Sequence, residues 1–582
     1  MGATEPVEPD HDGRIFAGSS QWTRHDRKGV DFSNLMLLTD NLRLTVGGAF
    51  QHEKLNERVS ELDLSGGIGV GGSNFHYSTA NYGPRSGDRD EYSGTFNFEW
   101  EPMPWLTLTA GTRYNKYSAY DEGLAQRRRK QVASAQASKR KIGVELEFGE
   151  LLSDADLATF KTLIAARAAA AGALTPADWT ALNNGIITPA MATRNSTMAA
   201  YNAFLPDSQV MQVKDAIYRK QVVFVPLVNG KLDSSQSPLS SNPIDVTQTV
   251  SNAQGLSGNI PVKIHNTGGT GLTGRAVYAD IAADQAWAAP DKQSGHAWSP
   301  VFSATARVTE HGTVFLRYAQ TTRFPSIFEI SSTSVGMDGV GALSIDGASK
   351  PERSTNWEVG YGHDLTQFFP SLYAADARLS YFNTVIEDFI ERDATLAIIQ
   401  FDEKKTSGIE FQSRFDSGRY FASVGATYRL KQELCDKDYA YGLDVYYNRM
   451  PECMTGGFPD TLTATSLQPK YSINAELGTR LFNDRVEMGW RGVYHAKAEN
   501  EELDDLLNSS YGHDIWTQNS MRQMYWHSVM LHDLYARVEV QDNVDVNLGI
   551  TNLTDRYYMD PMSKIPVPGP GRTLTAGLRV RF

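Results

Sequence analysis

The sequence predicts an all-β protein, a transmembrane antiparallel β-barrel with long extracellular loops, and three observations support that prediction. Apolar and polar residues alternate in many runs of about ten residues, which is the length a tilted strand needs to cross a bilayer. The connections between these runs are alternately short and long, as in outer-membrane barrels. Aromatic residues gather near strand ends, where membrane barrels place their interfacial girdles; they include Trp100, Trp105, Trp357, Tyr557 and Tyr558.

The C-terminal segment, "GPGRTLTAGLRVRF", shows the alternation clearly. Leu574 and Leu578 lie on one face of the predicted strand, and Arg579 and Arg581 lie on the other. An apolar face suits lipid, whereas a charged face suits a wet lumen. The final residue of the strand is Phe582.

About sixteen such strands are predicted, a number within the range of bacterial barrels. Their approximate ranges are 14–24, 30–38, 41–54, 90–101, 104–117, 296–309, 312–323, 352–365, 371–384, 408–416, 418–431, 468–482, 485–498, 522–541, 543–551 and 571–582. A soluble solenoid or propeller is disfavoured because such folds repeat at a fixed period. The spacing of these strands has no fixed period.

Composition excludes several other classes of protein. The 582 residues contain no run of eighteen apolar residues, so no transmembrane helix is predicted. The net charge of −13 argues against nucleic acid as a partner, because phosphate binding needs basic patches. No nucleophile–base pair, phosphate loop or metal-ligand motif stands out, so we expect no enzymatic activity. The first twenty residues lack the basic and apolar regions of a secretory signal.

The longest predicted loop, 118–295, is expected to form an extracellular insertion with short helices. Ser153 with Asp156 resembles a helix start, and Gly172 can end that helix. The segment "TPADW" at 175–179 begins a second helix in the same way. Two roles remain open for the insertion, namely capture of a carrier protein and shielding without a ligand.

The two cysteines, Cys435 and Cys453, fall in one predicted loop, 432–467. Disulfides persist outside the cell, and a metal site needs more ligands than two. We therefore expect a disulfide that closes this loop and contributes about 3 kcal/mol in the chain-entropy model.

Several segments resemble the barrel of TonB-dependent outer-membrane receptors. They are "FLRYAQTTRFPSIFEI" at 315–330, "KPERSTNWEVGY" at 350–361, "GIEFQSRF" at 408–415 and "NLGITNLTDRYYMDPMSKIPVPGPGRTLTAGLRVRF" at 547–582. Within the family, the last segment looks most like receptors for haem or haem-carrier proteins. The resemblance implies a barrel of twenty-two strands around an N-terminal plug. Residues 1–582 then correspond to a partial barrel domain, with about sixteen of the twenty-two strands and the plug absent. A truncated product and a self-sufficient pore both fit this pattern.

The resemblance implies a bacterial outer-membrane receptor that takes up an iron-containing ligand, with haem or a haem-carrier protein favoured. The alternatives are a siderophore receptor and a non-transporting or passive pore-forming fragment. No intrinsic cofactor is expected, since haem or a ferric siderophore is the transported ligand. The implied partners are outer-membrane lipid, the barrel assembly machinery through Phe582, a haem-carrier protein, and the TonB complex only through the plug.

The resemblance also suggests ligand-binding residues. Arg323, Phe324, Pro325 and Glu329 match a box that opens a ligand-contacting loop in haem receptors, although an ion pair between Glu329 and Arg323 would give the box a structural role. The loop itself, 324–351, contains no histidine. Histidine and tyrosine can ligate haem iron. The candidate ligands elsewhere are His76 and His513, which have aromatic neighbours, and Tyr511 is close enough to His513 in sequence to stack on a porphyrin.

Overall fold

The structure is a computed structural model of the 582-residue chain. It describes residues 18–62, 86–123, 125, 138–151, 218–228, 230–236, 262–263, 274–282, 289, 291–330, 350–392, 398–445, 448–459, 461, 467–498, 500–509, 527–562 and 568–581. The chain divides into two compact units. The first contains residues 1–139, 280–436 and 453–582, and the second contains residues 140–279 and 437–452.

The described residues are mostly β-strands, numbered in chain order. They are β1 (Gly18–Thr39), β2 (Leu42–Leu62), β3 (Ser86–Met103), β4 (Leu106–Asp121), β5 (Ser138–Leu151), β6 (Tyr218–Val228), β7 (Lys231–Leu232), β8 (Val262–Lys263), β9 (Arg275–Ile281), β10 (Gln293–Arg307), β11 (Gly312–Arg323), β12 (Glu352–Asp364), β13 (Ala374–Arg392), β14 (Ile398–Asp416), β15 (Tyr420–Cys435), β16 (Cys453–Thr455), β17 (Tyr471–Leu481), β18 (Val486–His495), β19 (Val529–Gln541), β20 (Val544–Thr551) and β21 (Thr573–Val580). The α-helices are α1 (Ile327–Ile330), α2 (Lys437–Leu443) and α3 (Glu501–Asn508). Among the described helices, none is long and apolar enough to cross a membrane.

The first unit is built on one antiparallel sheet of sixteen strands, which confirms the predicted fold class and strand number. Fifteen of them follow one another in the order β1–β4, β10–β15 and β17–β21, and β16 lies off this path against β15. Consecutive strands are therefore neighbours, as expected for hairpins joined by turns. Within the described residues, no ladder joins β1 to β21, so the sheet is open in this structure.

The segments that form the sixteen strands differ from the predicted ones at the N-terminal end. The ranges 14–24 and 30–38 were expected to be two strands, but residues 18–39 form the single strand β1, paired with β2 without interruption from Gly18 to Leu37. In the structure Gly29 allows close approach of the strands, since a Cβ there would lie 2.7 Å from the carbonyl oxygen of Phe50. The sixteenth strand is instead the three-residue β16.

The two faces of the sheet differ in chemistry. Outward positions carry exposed apolar side chains, such as Leu574 and Leu578 at 73% and 68% exposure. The alternating positions carry charged and hydroxyl groups, because successive side chains of a strand point to opposite faces. The lipid-facing and lumen-facing alternation predicted from the sequence is therefore present in the paired sheet.

The second unit has a small sheet of its own, in the order β7–β6–β5–β8, with β9 against β5. Its core combines Val144, Leu146 and Val225 with Tyr441 and Val445 from the distant segment 437–452. Asp438 of α2 accepts a hydrogen bond from the backbone N–H of Ser234 at 3.0 Å. The helices predicted near 153–179 lie outside the described residues and remain a prediction.

Candidate functional site

The box at residues 323–329 lies where β11 ends. Pro325 cannot donate to the strand ladder, so the chain leaves the sheet there, and α1 begins two residues later. The carboxylate of Glu329 accepts a hydrogen bond from the backbone N–H of Ser326 at 2.7 Å. The backbone N–H of Glu329 donates to the carbonyl of Ser326 at 3.0 Å. This arrangement is half of a capping box, and it fixes the first turn after the strand.

Arg323 joins both sides of the loop base. Its Nε donates to Glu352 Oε2 at 2.5 Å, and its Nη1 donates to the two carboxylate oxygens of Glu329 at 3.0 and 2.8 Å. Glu352 is the register partner of Arg323 on β12, and its other oxygen accepts from the N–H of Ile390 at 2.8 Å. Planar guanidinium groups suit such forked recognition of carboxylates. The loop is therefore closed at its base by an ionic rung.

Phe324 anchors the same corner by packing. Its ring is 3% exposed and stacks on Tyr117 of β4, with ring centroids 4.3 Å apart. Ile327 of α1 is 2% exposed. Burial of one large aromatic side chain and one aliphatic side chain stabilises the corner by several kcal/mol, at about 1.5–3 kcal/mol for each.

The electrostatics of the corner favour a charged Glu329. Burial of this carboxyl group raises its pKa, but hydrogen bonds from Arg323 and the N–H of Ser326, with the charge of Arg323, outweigh that effect. The net pKa of Glu329 lies below its ordinary value of 4.5. Glu329 therefore keeps its negative charge and its contacts at neutral pH.

The structure thus brings together four predicted site residues, Arg323, Phe324, Pro325 and Glu329. Their polar groups are engaged with one another, and their apolar groups are buried. This is the structural role that the sequence left open, with the ion pair from Arg323 to Glu329 present. Direct contact of these residues with a ligand remains a prediction.

The remaining predicted sites fall into two groups. His76, Tyr511, His513 and Phe582 lie outside the described residues. Cys435 and Cys453 form a disulfide between β15 and β16, where the two residues are register partners.

The lumen-facing side of the sheet carries a feature that the sequence analysis missed, a ladder of arginine–carboxylate pairs across neighbouring strands. The closest nitrogen–oxygen distances lie between 2.5 and 3.1 Å. The pairs are Arg43 with Glu99, Arg378 with Glu358, Arg414 with Asp376, Arg480 with Asp416 and Glu487, Arg491 with Glu476, and Arg581 with Asp545. The signal was available, because charges of opposite sign recur on the inward positions of adjacent hairpin strands.

Aromatic rings hold several of these arginines flat against the wall. The guanidinium of Arg378 lies 4.3 Å from the ring centroid of Phe315, that of Arg480 lies 4.6 Å from Phe421, and that of Arg491 lies 4.5 Å from Tyr535. Stacked and paired arginines have little freedom. The wall therefore presents fixed charges of both signs, as suits a polar passage.

Comparison with known proteins identifies the family. Residues 236–553 match the family model described as TonB dependent receptor-like, beta-barrel. The chain is 28% identical to the hemophilin receptor of Acinetobacter baumannii over 98% of this chain and 50% of that protein. It is 24% identical to a probable TonB-dependent receptor of Haemophilus influenzae over 46% of this chain and 32% of that protein. The chain thus spans half or less of the length of these two relatives.

Solved structures show weaker likenesses. The FrpB iron transporter of Neisseria meningitidis is 12% identical, with a TM-score of 0.48 over 96% of this chain and 55% of that one. The hemophore receptor HasR of Serratia marcescens, solved with its hemophore HasA and heme, is 15% identical, with a TM-score of 0.47 over 97% of this chain and 60% of that one.

The family match covers more than half of the chain, and it agrees with the sixteen-stranded antiparallel sheet and its two chemically distinct faces. The chain belongs to the TonB-dependent receptor-like β-barrel family, a family of receptors of the bacterial outer membrane.

Proposed function

We propose that the protein is an outer-membrane receptor barrel for uptake of an iron-containing ligand, with haem or a haem-carrier protein as that ligand. The observation that carries the proposal is the match to the hemophilin receptor, which extends over 98% of this chain. The match therefore includes the insertion between β4 and β10 as well as the strands. Haem is the cargo in this proposal, and the TonB complex supplies the energy for uptake.

The geometry of the barrel wall supports a transport role. Arginine–carboxylate pairs line the inward face, so a charged or amphipathic ligand meets fixed polar partners rather than lipid. The corner of Arg323, Phe324 and Glu329 holds the base of loop 324–351 in one place. Such a loop base is a rigid support for ligand-contacting residues.

We propose His76 and His513 as the first residues to test as haem ligands, with Tyr511 as a residue that stacks on the porphyrin. The full chain, purified in detergent, is titrated with haem and followed by the Soret absorbance. Saturable binding with a shifted Soret band is expected. His513→Ala or His76→Ala should weaken the affinity about tenfold or more, equivalent to about 1.4 kcal/mol or more.

His311→Ala is the matched control, because His311 lies in the β10–β11 turn at the opposite end of the strands, near Asp364. This variant should bind haem as the unchanged protein does. Equal weakening by all three alanine variants, or no saturable haem binding, would contradict the proposal. Binding of a ferric siderophore in its place would favour the siderophore alternative. A large permanent conductance in planar bilayers, without ligand binding, would favour a passive pore.

A further inference from the structure

The lipid-facing side of the β4–β10 ladder has an ordered sequence of paired residues. Leu108 pairs with Ala304 and Ala110 with Phe302 in the apolar part. Towards the end of β4, where the insertion begins, three more couples follow on the same face. They are Tyr114 with Trp298, Lys116 with His296, and Ser118 with Ser294.

The opposite face of β4 confirms this assignment. Asn115, Tyr117 and Ala119 alternate with the residues of these couples and are 7%, 2% and 1% exposed. Lys116 and His296 are exposed. The Lys116–His296 couple therefore lies on the same side of the sheet as Trp298, which is 55% exposed.

The height of the couples fits a bilayer interface. From Leu106 to Tyr114 the strand rises about 27 Å, at about 3.4 Å per residue. A tilt of about 40° reduces this to about 21 Å, close to the apolar band of about 25 Å in outer-membrane barrels. Tyr114 and Trp298, with ring centroids 4.9 Å apart, then lie at the interface, where aromatic girdles occur. Lys116 and His296 lie one step further out, at the level of lipid headgroups.

The Lys116–His296 couple has no acidic partner of its own. Among the described residues, no carboxylate forms an ion pair with either side chain. On β3 the residue opposite Lys116 is Tyr92, which is 52% exposed and uncharged. The next residue on this face of β3 is Asp90, whose carboxylate is engaged with His52 at 2.8 Å. Two cationic or hydrogen-donating groups on directly opposed positions do not stabilise each other. An anion would satisfy both.

The β11–β12 ladder, two strands further along the sheet, shows that this arrangement is not a general property of the wall. There an aromatic couple, Tyr318 with Trp357, is also packed, with ring centroids 4.6 Å apart. The couple next to it is Gln320 with Thr355, which is uncharged and internally hydrogen-bonded at 3.4 Å. Of these two ladders, the β4–β10 ladder alone has side-chain donors without a carboxylate partner, Lys116 and His296, next to its aromatic couple.

We propose that Lys116 and His296 bind a phosphate group of an anionic saccharolipid in the outer leaflet. Tyr114 and Trp298 lie against the adjoining acyl chains, and the hydroxyl groups of Ser118 and Ser294 face the sugar. Basic residues at a membrane surface attract anionic headgroups, with about 1 kcal/mol for each lysine or arginine. This inference is independent of the transported ligand, so failure of haem uptake leaves it unchanged.

The test uses the full chain in detergent micelles and native mass spectrometry with two probes, bis-phosphorylated lipid A and the same lipid without phosphates. The unchanged protein should retain the phosphorylated lipid with an affinity at least about tenfold higher. Lys116→Gln with His296→Gln should lower the affinity for the phosphorylated lipid about fivefold to tenfold, as expected for loss of one or two donors.

Two control variants separate the site from general charge effects. Lys350→Gln removes an extracellular lysine that pairs with Asp388 at 3.1 Å and lies away from this ladder. Gln320→Ala with Thr355→Ala removes the corresponding couple of the β11–β12 ladder. Both variants should bind the phosphorylated lipid as the unchanged protein does.

Three results would overturn the proposal. They are equal binding of the two lipids by the unchanged protein, unchanged affinity in the Lys116/His296 variant, and displacement of the lipid by millimolar inorganic phosphate. The last result would mean that the site takes free phosphate rather than a lipid. The comparison of the two lipids needs no variant, so it decides the matter even if the double variant fails to fold.

Discussion

Two loops that leave the sixteen-stranded sheet are each closed at the last register pair of a strand ladder, one by an ion pair and the other by a disulfide. Arg323 and Glu352 are the last register partners of the β11–β12 ladder, and Cys435 and Cys453 are the last register partners of the β15–β16 ladder. The first rung closes a sequence separation of 29 residues through an ion pair. The second closes a separation of 18 residues through a covalent bond.

Both rungs adjoin buried apolar groups. Phe324 and Tyr117 stack beside the ionic rung. Beside the disulfide, Leu434 and Met454 are register partners and are both 0% exposed.

The difference lies in what each rung requires from its surroundings. The covalent rung needs no further partner, and the segment that it encloses, 437–452, belongs to the second unit and contributes Tyr441 and Val445 to its core. The ionic rung needs additional hydrogen bonds, which Glu329 and the N–H of Ile390 supply. A disulfide therefore leaves the enclosed segment free to join another unit, whereas a half-buried ion pair constrains the residues that follow it.

The largest effect on this comparison is expected from Phe324→Ala. Loss of a fully buried aromatic ring costs about 3–5 kcal/mol, since it removes the stack on Tyr117 and leaves a cavity. Hydrogen exchange of residues 323–330 should accelerate strongly, and protease cleavage in loop 331–349 should increase. Phe368→Ala is the control, because Phe368 is 63% exposed in the β12–β13 turn and should change neither measurement. Equal protection in the two variants would show that packing does not hold the ionic rung.

Removal of the disulfide should have the next largest effect. Cys435→Ser with Cys453→Ser should lower the free energy of unfolding of the barrel unit by about 3 kcal/mol in the chain-entropy model. The unchanged protein in reductant should show the same loss, and the double variant should not respond to reductant. If reductant destabilises the unchanged protein and the double variant equally, the loss of stability does not come from the disulfide.

Replacement of the arginine in the ionic rung should have a somewhat smaller effect. Arg323→Ala leaves Glu352 and Glu329 mostly buried, with side-chain exposures of 10% and 16%, and without their cation. Breaking a buried pair costs about 3–5 kcal/mol, and the half-exposed arginine reduces this to about 2–3 kcal/mol. The triple change Arg323→Ala, Glu329→Gln and Glu352→Gln should recover part of the loss in thermal unfolding. If the triple variant recovers none of the lost stability, the unpaired charges of Glu329 and Glu352 are not the cause of the loss in Arg323→Ala.

The sequence predicted the parts of this comparison that depend on local patterns. Alternation identified β11, β12 and β15, and two cysteines in one loop indicated the disulfide. The ion pair from Arg323 to Glu329 was stated as an alternative, structural role for the box. Glu352 was missed, because its role depends on the register between two strands.

The pairing of strands that are distant in sequence, and the close approach of two backbones, could not be predicted from one sequence. The sheet of β5 and β6 pairs residues 143–151 with residues 218–226, and its core takes Tyr441 from much further along the chain. The turn-forming residues of the chain do not predict such a pairing, because a long segment separates the two strands. The prediction divided β1 into two strands, whereas its pairing with β2 continues past Gly29, where a Cβ would lie 2.7 Å from the carbonyl oxygen of Phe50.

The smallest effect, and the one most specific to the ionic rung, is its dependence on pH. Because the folded pKa of Glu329 lies below its ordinary value of 4.5, the charged form stabilises the corner fully above that value. This contribution is lost as the pH falls through the lower folded pKa. We expect the backbone N–H of Ser326, which donates to Glu329, to lose hydrogen-exchange protection at acid pH, after correction for the intrinsic rate. Glu329→Gln should give lower protection at neutral pH and little further change on acidification.

The disulfide-closed rung should keep its protection across the same range, because neither cysteine titrates. Loss of protection at both rungs over the same pH range would indicate general acid unfolding of the barrel, and it would contradict a pH-dependent ionic closure confined to Arg323, Glu329 and Glu352.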